Sequence, residues 1–209
     1  MARKSFIESS TVANWILLNA RIKELQNDTN FEDEKRRLLE RCRKIKPSYE
    51  LLEEIRIGKR KGNAFYTSQF ALIEVMTVIR EEYLSKRMSD EGIPLRYWTR
   101  YRDEIDLPED KAGKVIDEIL DLIGTFSGKK GKIKLRIITP PEYDPVDVTY
   151  IVTKYKCYAQ DAILLATARK QKANYFVTDD RRLREISREK ILSMKLISSQ
   201  EMLSLLRRH

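Results

Sequence analysis

Tyr158-Ala159-Gln160-Asp161-Ala162-Ile163-Leu164-Leu165-Ala166-Thr167-Ala168, followed shortly by Tyr175-Phe176-Val177-Thr178-Asp179-Asp180, reads as a helix feeding a short buried strand that ends in acids. Asp161 stands four residues before Leu165 and near Leu164 and Ala168 in helical projection, so a helix that buries those residues turns a carboxylate inward. A lone ionised carboxylate is costly to bury unless a cation or hydrogen bonds compensate it. In open α/β sheets ligands gather at the carboxyl ends of strands, where Thr178, Asp179 and Asp180 fall.

Outward from this stretch, residues 5–7, 64–67, 134–139 and 195–197 read as further short strands. Helical patterns cover 11–20, 32–45, 49–57, 69–84, 108–124, 146–172 with an interruption near Lys156, 181–189 and 199–206. Pro47 divides the second and third helices because it disfavours helical geometry at Lys46. Ser68 suits the cap of the helix that follows it, and residues 85–99, with Gly92 and Pro94, read as a loop or lid. Gly128-Lys129-Lys130-Gly131-Lys132 reads as a flexible basic turn, and Pro140-Pro141 ends the strand 134–139. Strands alternating with helices predict an α/β fold with a parallel sheet and helices on both faces. A chain of 209 residues suits one core, so 1–209 is expected to form a single domain, with helical or loop insertions at about 20–63 and 85–132.

Lys and Arg number 41 against 32 Asp and Glu, a net charge of +9 that suits a polyanion, nucleic acid first and an acidic membrane surface second. The charge recurs in runs such as Lys35-Arg36-Arg37, Lys59-Arg60-Lys61, Lys129 to Lys134 and Arg181-Arg182-Leu183-Arg184, each of which alone more often marks a solvated face. Two cysteines without metal spacing or a disulfide framework point to a reducing interior and away from zinc. Glu8, Ser9, Ser10 and Asn14 interrupt the first apolar patch, against a signal peptide, and no apolar run approaches the roughly 20 residues of a membrane helix. A soluble, cytoplasmic protein is expected. His209 is the single histidine, which disfavours histidine acid–base chemistry, and no glycine-rich phosphate loop exists.

The acids carry the chemical signal. Glu8 follows Phe6-Ile7 at the end of the first strand, where an acid also suits helix entry. Glu74 lies four residues from both Phe70 and Val78, within the apolar face of its helix; a mundane account pairs it with Arg80 or Lys86. A mundane account makes Asp161 a buried acid bonded to a hydroxyl or amide, and Asp180 can cap the helix that opens at Arg181 while also binding a metal. If these elements lie side by side, four carboxylates meet. Their repulsion raises their pKa values and calls for a hard divalent cation, Mg²⁺ or Mn²⁺. Such ions clamp a phosphodiester, activate a water and stabilise the leaving oxygen.

With Phe6-Ile7-Glu8-Ser9-Ser10, Tyr66-Thr67-Ser68, Leu72-Ile73-Glu74-Val75, the stretch from Asp161 to Ala168 and that from Phe176 to Leu183, the chain resembles the PIN-domain family of metal-dependent ribonucleases, which includes the VapC toxins of toxin-antitoxin systems. The resemblance implies a three-layer α/β/α fold with a small central parallel sheet. It implies that Glu8, Glu74, Asp161 and Asp180 are both catalytic and metal-holding around one or two Mg²⁺ or Mn²⁺ ions, supported by Ser9, Thr178 and Asp179. It further implies an endoribonuclease acting on RNA, as a toxin or a processing enzyme, with homodimerisation and an antitoxin or other protein partner. Asp180 rather than Asp179 matches the family's acid, two residues after the Thr. Two departures stand out: Glu8 occupies a place where the family carries Asp, and the chain is longer than a minimal member. Glu8 therefore favours an alternative, a catalytically weakened PIN-like module that binds RNA or protein. Tyr97, Trp98 and Tyr101, interleaved with Arg96, Arg100 and Arg102, and Phe65 and Tyr66 elsewhere, suit stacking on unpaired bases, or alternatively an aromatic hinge.

Overall fold

A computed structural model of the protein describes residues 3–26, 29–58, 63–102, 108–127, 135–139, 142–186 and 193–208. Five strands form one all-parallel sheet: β1 (Arg3–Ile7), β2 (Asn63–Ser68), β3 (Leu135–Ile138), β4 (Tyr175–Val177) and β5 (Lys195–Ile197), in the order β3-β2-β1-β4-β5. The helices are α1 (Ser9–Leu25), α2 (Phe31–Arg41), α3 (Lys46–Ile57), α4 (Gln69–Asp90), α5 (Trp98–Tyr101), α6 (Glu109–Ser127), α7 (Pro145–Tyr155), α8 (Ala159–Lys170), α9 (Arg181–Ile186) and α10 (Ser199–Arg207).

Parallel strands need crossover helices, and these cover both faces of the sheet, so adjacent strand residues are both buried. Phe6 and Phe176 stack 5.5 Å apart in the core that holds Leu164, Leu165 and Ile151 of α7 and α8. Ile7 and Val177 point the other way, into a larger core with Val12, Trp15, Leu51, Leu52, Leu122 and Leu203. The result is three layers, α/β/α. A helix between parallel strands runs antiparallel to them, so its first turn returns to the carboxyl end of the sheet. That rule delivers side chains from α1, α4, α8 and α9 to one edge of the molecule.

The expected strands are present. The helices differ in instructive places. Lys46 and Pro47 belong to the first turn of α3, where proline's missing N–H costs nothing; Gly58 closes that helix at φ 68°. Residues 85–99 are not a loop throughout. α4 continues to Asp90 because Leu84 and Met88 are buried under Tyr83, Ile93 and Trp98, while the polar residues between them face out. Gly92, at φ 70°, then turns the chain into a short 3₁₀ segment, Leu95–Tyr97, and α5. Lys156, at φ 51°, supplies the expected break between α7 and α8. The region about 20–63 holds the end of α1 together with α2 and α3, and 85–132 holds the end of α4, α5 and α6. Lys59-Arg60-Lys61, the basic turn 128–132, Lys134 and Pro140-Pro141 lie outside the described residues, as does the end of the helix expected to reach 189.

Candidate active site

The direction in which successive strands are added reverses across the middle of the sheet: from β1 the connections step one way to β2 and β3, and from β4 the other way to β5. Such a switch point opens a crevice beyond the strand ends, and β1 and β4 flank it. Glu8 follows β1 directly, and its backbone N–H donates to the Val177 carbonyl at 3.0 Å, while Thr178 N–H donates to the Ile197 carbonyl at 2.9 Å. These bonds lock the strand ends that present Glu8 and the acids after β4.

Glu8 is 4% exposed. It is the N-cap of α1, accepting from the Ser10 backbone N–H at 3.0 Å, and also accepts from the hydroxyls of Ser9, Ser10 and, at 3.1 Å, Thr178. Helix entry and site membership thus coincide in one residue. Burial pushes its pKa up, and the hydroxyl and backbone donors oppose that only in part. Glu74, in the second turn of α4, is pushed up to about 7 by burial and then by the charges of Glu8 and Asp161, against a Ser9 hydrogen bond. Its Oε2 is buried and has no hydrogen-bond partner. Arg80, an expected pairing partner for Glu74, instead meets Glu81 at 3.6 Å. Asp161, in the first turn of α8, is pushed up to about 6 by burial, Glu8 and Asp180, opposed by a hydrogen bond from the Tyr158 backbone and by Arg182. Charge thus reaches Glu74 from Glu8 and Asp161, and Asp161 from Glu8 and Asp180.

Asp180 Oδ1 accepts from the backbone N–H groups of Arg182 at 2.7 Å and Leu183 at 3.4 Å, opening α9 as a capping residue does. Thr178 Oγ1, while donating to Glu8, accepts from Asp180 N–H at 3.0 Å, so one hydroxyl fixes two of the acids. Ser9 donates its hydroxyl to Glu8. Asp179 turns away. Its carboxylate accepts from Ser199 N–H at 3.0 Å, Ser199 Oγ at 2.6 Å and Ser48 Oγ at 2.5 Å, tying β4 to α3 and α10. Asp179 supports the site as a brace.

The donor set is all carboxylate oxygen and hydroxyl, the chemistry hard divalent cations accept, and the partnerless Glu74 oxygen is a buried acceptor suited to one. Among the described residues no three His, Cys, Asp or Glu side chains are already drawn together at ligand spacing. Glu8 in particular has both oxygens turned to hydroxyls.

Arg182 was not legible as a site residue. Its guanidinium lies over the Tyr158 ring, 4.0 Å from the centroid, and feels the charges of Asp161 and Asp180 at the rim of the cluster. In sequence it was one of a run of arginines, and only tertiary packing sets it on Tyr158. In the aromatic segment 96–102, Trp98 donates its Nε1–H to the Ile93 carbonyl at 2.8 Å and packs beside Leu84 and Met88, while Tyr97, with the Arg96 guanidinium 4.8 Å from its ring centroid, and Tyr101 keep exposed surface. Phe65 is 6% exposed and belongs to the core, which removes it as a stacking surface. Among the described residues, no helix is long and apolar enough to cross a membrane.

No protein-family model matches the chain. An uncharacterized protein of Archaeoglobus fulgidus is 31% identical over 107 residues, covering 50% of this chain and 84% of that protein. The chain belongs to one family with that archaeal protein.

Proposed function

We propose that the protein is a metal-dependent endoribonuclease of the PIN-domain type. The observation that carries this reading is the set of acids at the switch point, with Glu74 Oε2 buried and partnerless. Glu8, Asp161 and Asp180 would hold a Mg²⁺ or Mn²⁺ ion, and Glu74 would hold a second ion or orient a water. A divalent cation bound there supplies charge neutralisation of the phosphodiester, a more acidic water and a stabilised leaving oxygen. The protein's own groups do the rest. Ser9 and Thr178 set the rotamers of the acids through their hydroxyls. Glu74 Oε2, buried and without a hydrogen-bond partner, would face that ion or accept a hydrogen bond from its water. The net charge of +9 draws a polyanion towards an edge that its own acids would otherwise make repulsive.

The direct test is cleavage of mixed RNAs with Mn²⁺, Mg²⁺ or EDTA. Cleavage with the ions and none with EDTA supports the reading; cleavage indifferent to EDTA refutes it. A second reading, a PIN-like module that binds RNA or protein with weakened catalysis, is favoured by Glu8, whose longer arm is held by Ser9, Ser10 and Thr178. Under that reading Glu8→Asp brings a large gain in cleavage; under the first it does not.

A further inference from the structure

The acid cluster has an aromatic lip. Tyr158 is the N-cap residue of α8, three positions before Asp161, and at 63% is more exposed than Tyr97, Tyr101, Tyr143 or Tyr150. One face is occupied by the Arg182 guanidinium, which is anchored by Nη2 donating to the Lys156 carbonyl at 3.2 Å. Lys156 holds the left-handed break between α7 and α8, so the carbonyl that orients Arg182 belongs to the turn that presents Tyr158. The ring is therefore held in place by a cation while remaining largely open to solvent. Just before this turn, Lys154 Nζ lies 5.3 Å from the centroid of the Tyr150 ring and 5.2 Å from that of Tyr155, and Tyr150 is 46% exposed. Tyrosines alternating with cations thus lead along the chain to Asp161.

We infer that Tyr158, backed by Arg182, is a stacking platform for an unpaired base of a single-stranded RNA whose backbone passes over the acid cluster. The inference rests on the nuclease reading of that cluster and names residues that grip its substrate. Base–aromatic stacking needs an exposed base face, which a duplex does not offer, and a ring already held by a guanidinium loses little freedom when a base lands on it. Arg182 adds positive charge where Asp161 and Asp180 would repel the approaching phosphates.

The test is fluorescence anisotropy of a labelled single-stranded RNA oligonucleotide, and of the matched duplex, with the full chain in EDTA so that binding is read without cleavage. One stack is worth about 1–3 kcal/mol, so Tyr158→Ala should weaken single-strand binding by roughly 5- to 150-fold, while Tyr158→Trp keeps or tightens it. The duplex should bind more weakly and be indifferent to both changes. Equal binding by wild type and Tyr158→Ala, or failure of Trp to substitute, overturns the inference, as does a wild-type chain that binds no single-stranded RNA. If Tyr158-dependent binding is found but no divalent-dependent cleavage, the platform stands and the nuclease reading falls.

Discussion

Helix α1 passes two groups of acids that are treated in opposite ways. Along its middle and far end, a cavity of about 360 Å³ is lined by Trp15, Lys23, Tyr49, Glu53, Arg56 and Asp121, among others. Every acid there has a cation. Glu53 accepts from Arg56 at 2.6, 3.0 and 3.1 Å and from the Trp15 indole at 3.0 Å, and Lys23 meets Asp121 at 2.9 Å. At its first turn, Glu8 faces Glu74 and Asp161, with Arg182 only at the rim. The chain has 41 basic residues and could have paired these acids as it paired Glu53. Hydrogen-bond donors rather than cations hold most of these acids, which leaves room for the external cation of the proposed function.

The contrast breaks most visibly at Asp161. Asp161→Asn removes a repelled charge from the free protein and a ligand from the proposed metal group. Divalent-dependent RNA cleavage should fall by at least about 100-fold, while the melting temperature of the metal-free protein stays level or rises. Unchanged cleavage would remove Asp161 from the site.

The pH dependence of the metal-free protein follows from the raised carboxyls. Glu74 moves from 4.5 to about 7 and Asp161 from 3.8 to about 6 on folding. For an acid whose folded pKa is raised, the folded state gains from protonation, so its stabilisation is complete below the unfolded value and is lost as pH climbs through the folded one. Stability in EDTA should therefore fall between about pH 4 and pH 7, by on the order of 2 kcal/mol after allowing for the partial exposure of both groups. Mn²⁺ should restore it at neutral pH and have little effect at pH 4. Denaturant melts across pH, with and without Mn²⁺, check both halves; a curve that rises towards neutrality would count against an uncompensated cluster.

The paired region should respond in the reverse sense. Glu53→Ala strips the partner from a buried indole N–H and from Arg56, and should cost about 2 kcal/mol in a urea melt while leaving RNA cleavage near the wild-type rate. A smaller change is expected at Asp179→Asn, about 1 kcal/mol, because the Ser48 and Ser199 hydroxyls can rotate to accommodate an amide. Cleavage lost with Asp179→Asn at full stability would show that the brace also handles substrate.

Much of the fold was legible because its local signals agree. Short apolar strands end in Glu8, Ser68 and Thr178, and Ser68 Oγ accepts from Ala71 N–H at 3.1 Å as its position before α4 predicts. Lys46 and residues 85–90 are helical against their local signals for one reason: packing that sequence does not display outweighs a breaker or a polar run, the burial of Tyr49 and Leu51 in one case and of Leu84 and Met88 in the other. The acids could be picked out because Glu74 and Asp161 interrupt apolar stripes, which only a compensated or functional carboxylate tolerates. Strand order was not legible, so neither was the switch point. Asp179 and Asp180 look interchangeable in sequence, and only the positions of Ser48 and Ser199, from α3 and α10, separate brace from cap. The Tyr158–Arg182 stack joins residues 24 positions apart through a turn at Lys156 that periodicity marks only as an interruption.

The central claim, that the acids at the carboxyl end of the sheet share a divalent cation, is tested most directly by calorimetric titration of Mn²⁺ into the wild-type chain and into Asp161→Asn at neutral pH. Saturable binding of one or two ions per wild-type chain, lost or greatly weakened in the variant, is the predicted result. Binding absent from the wild type, or equal in both chains, would contradict it.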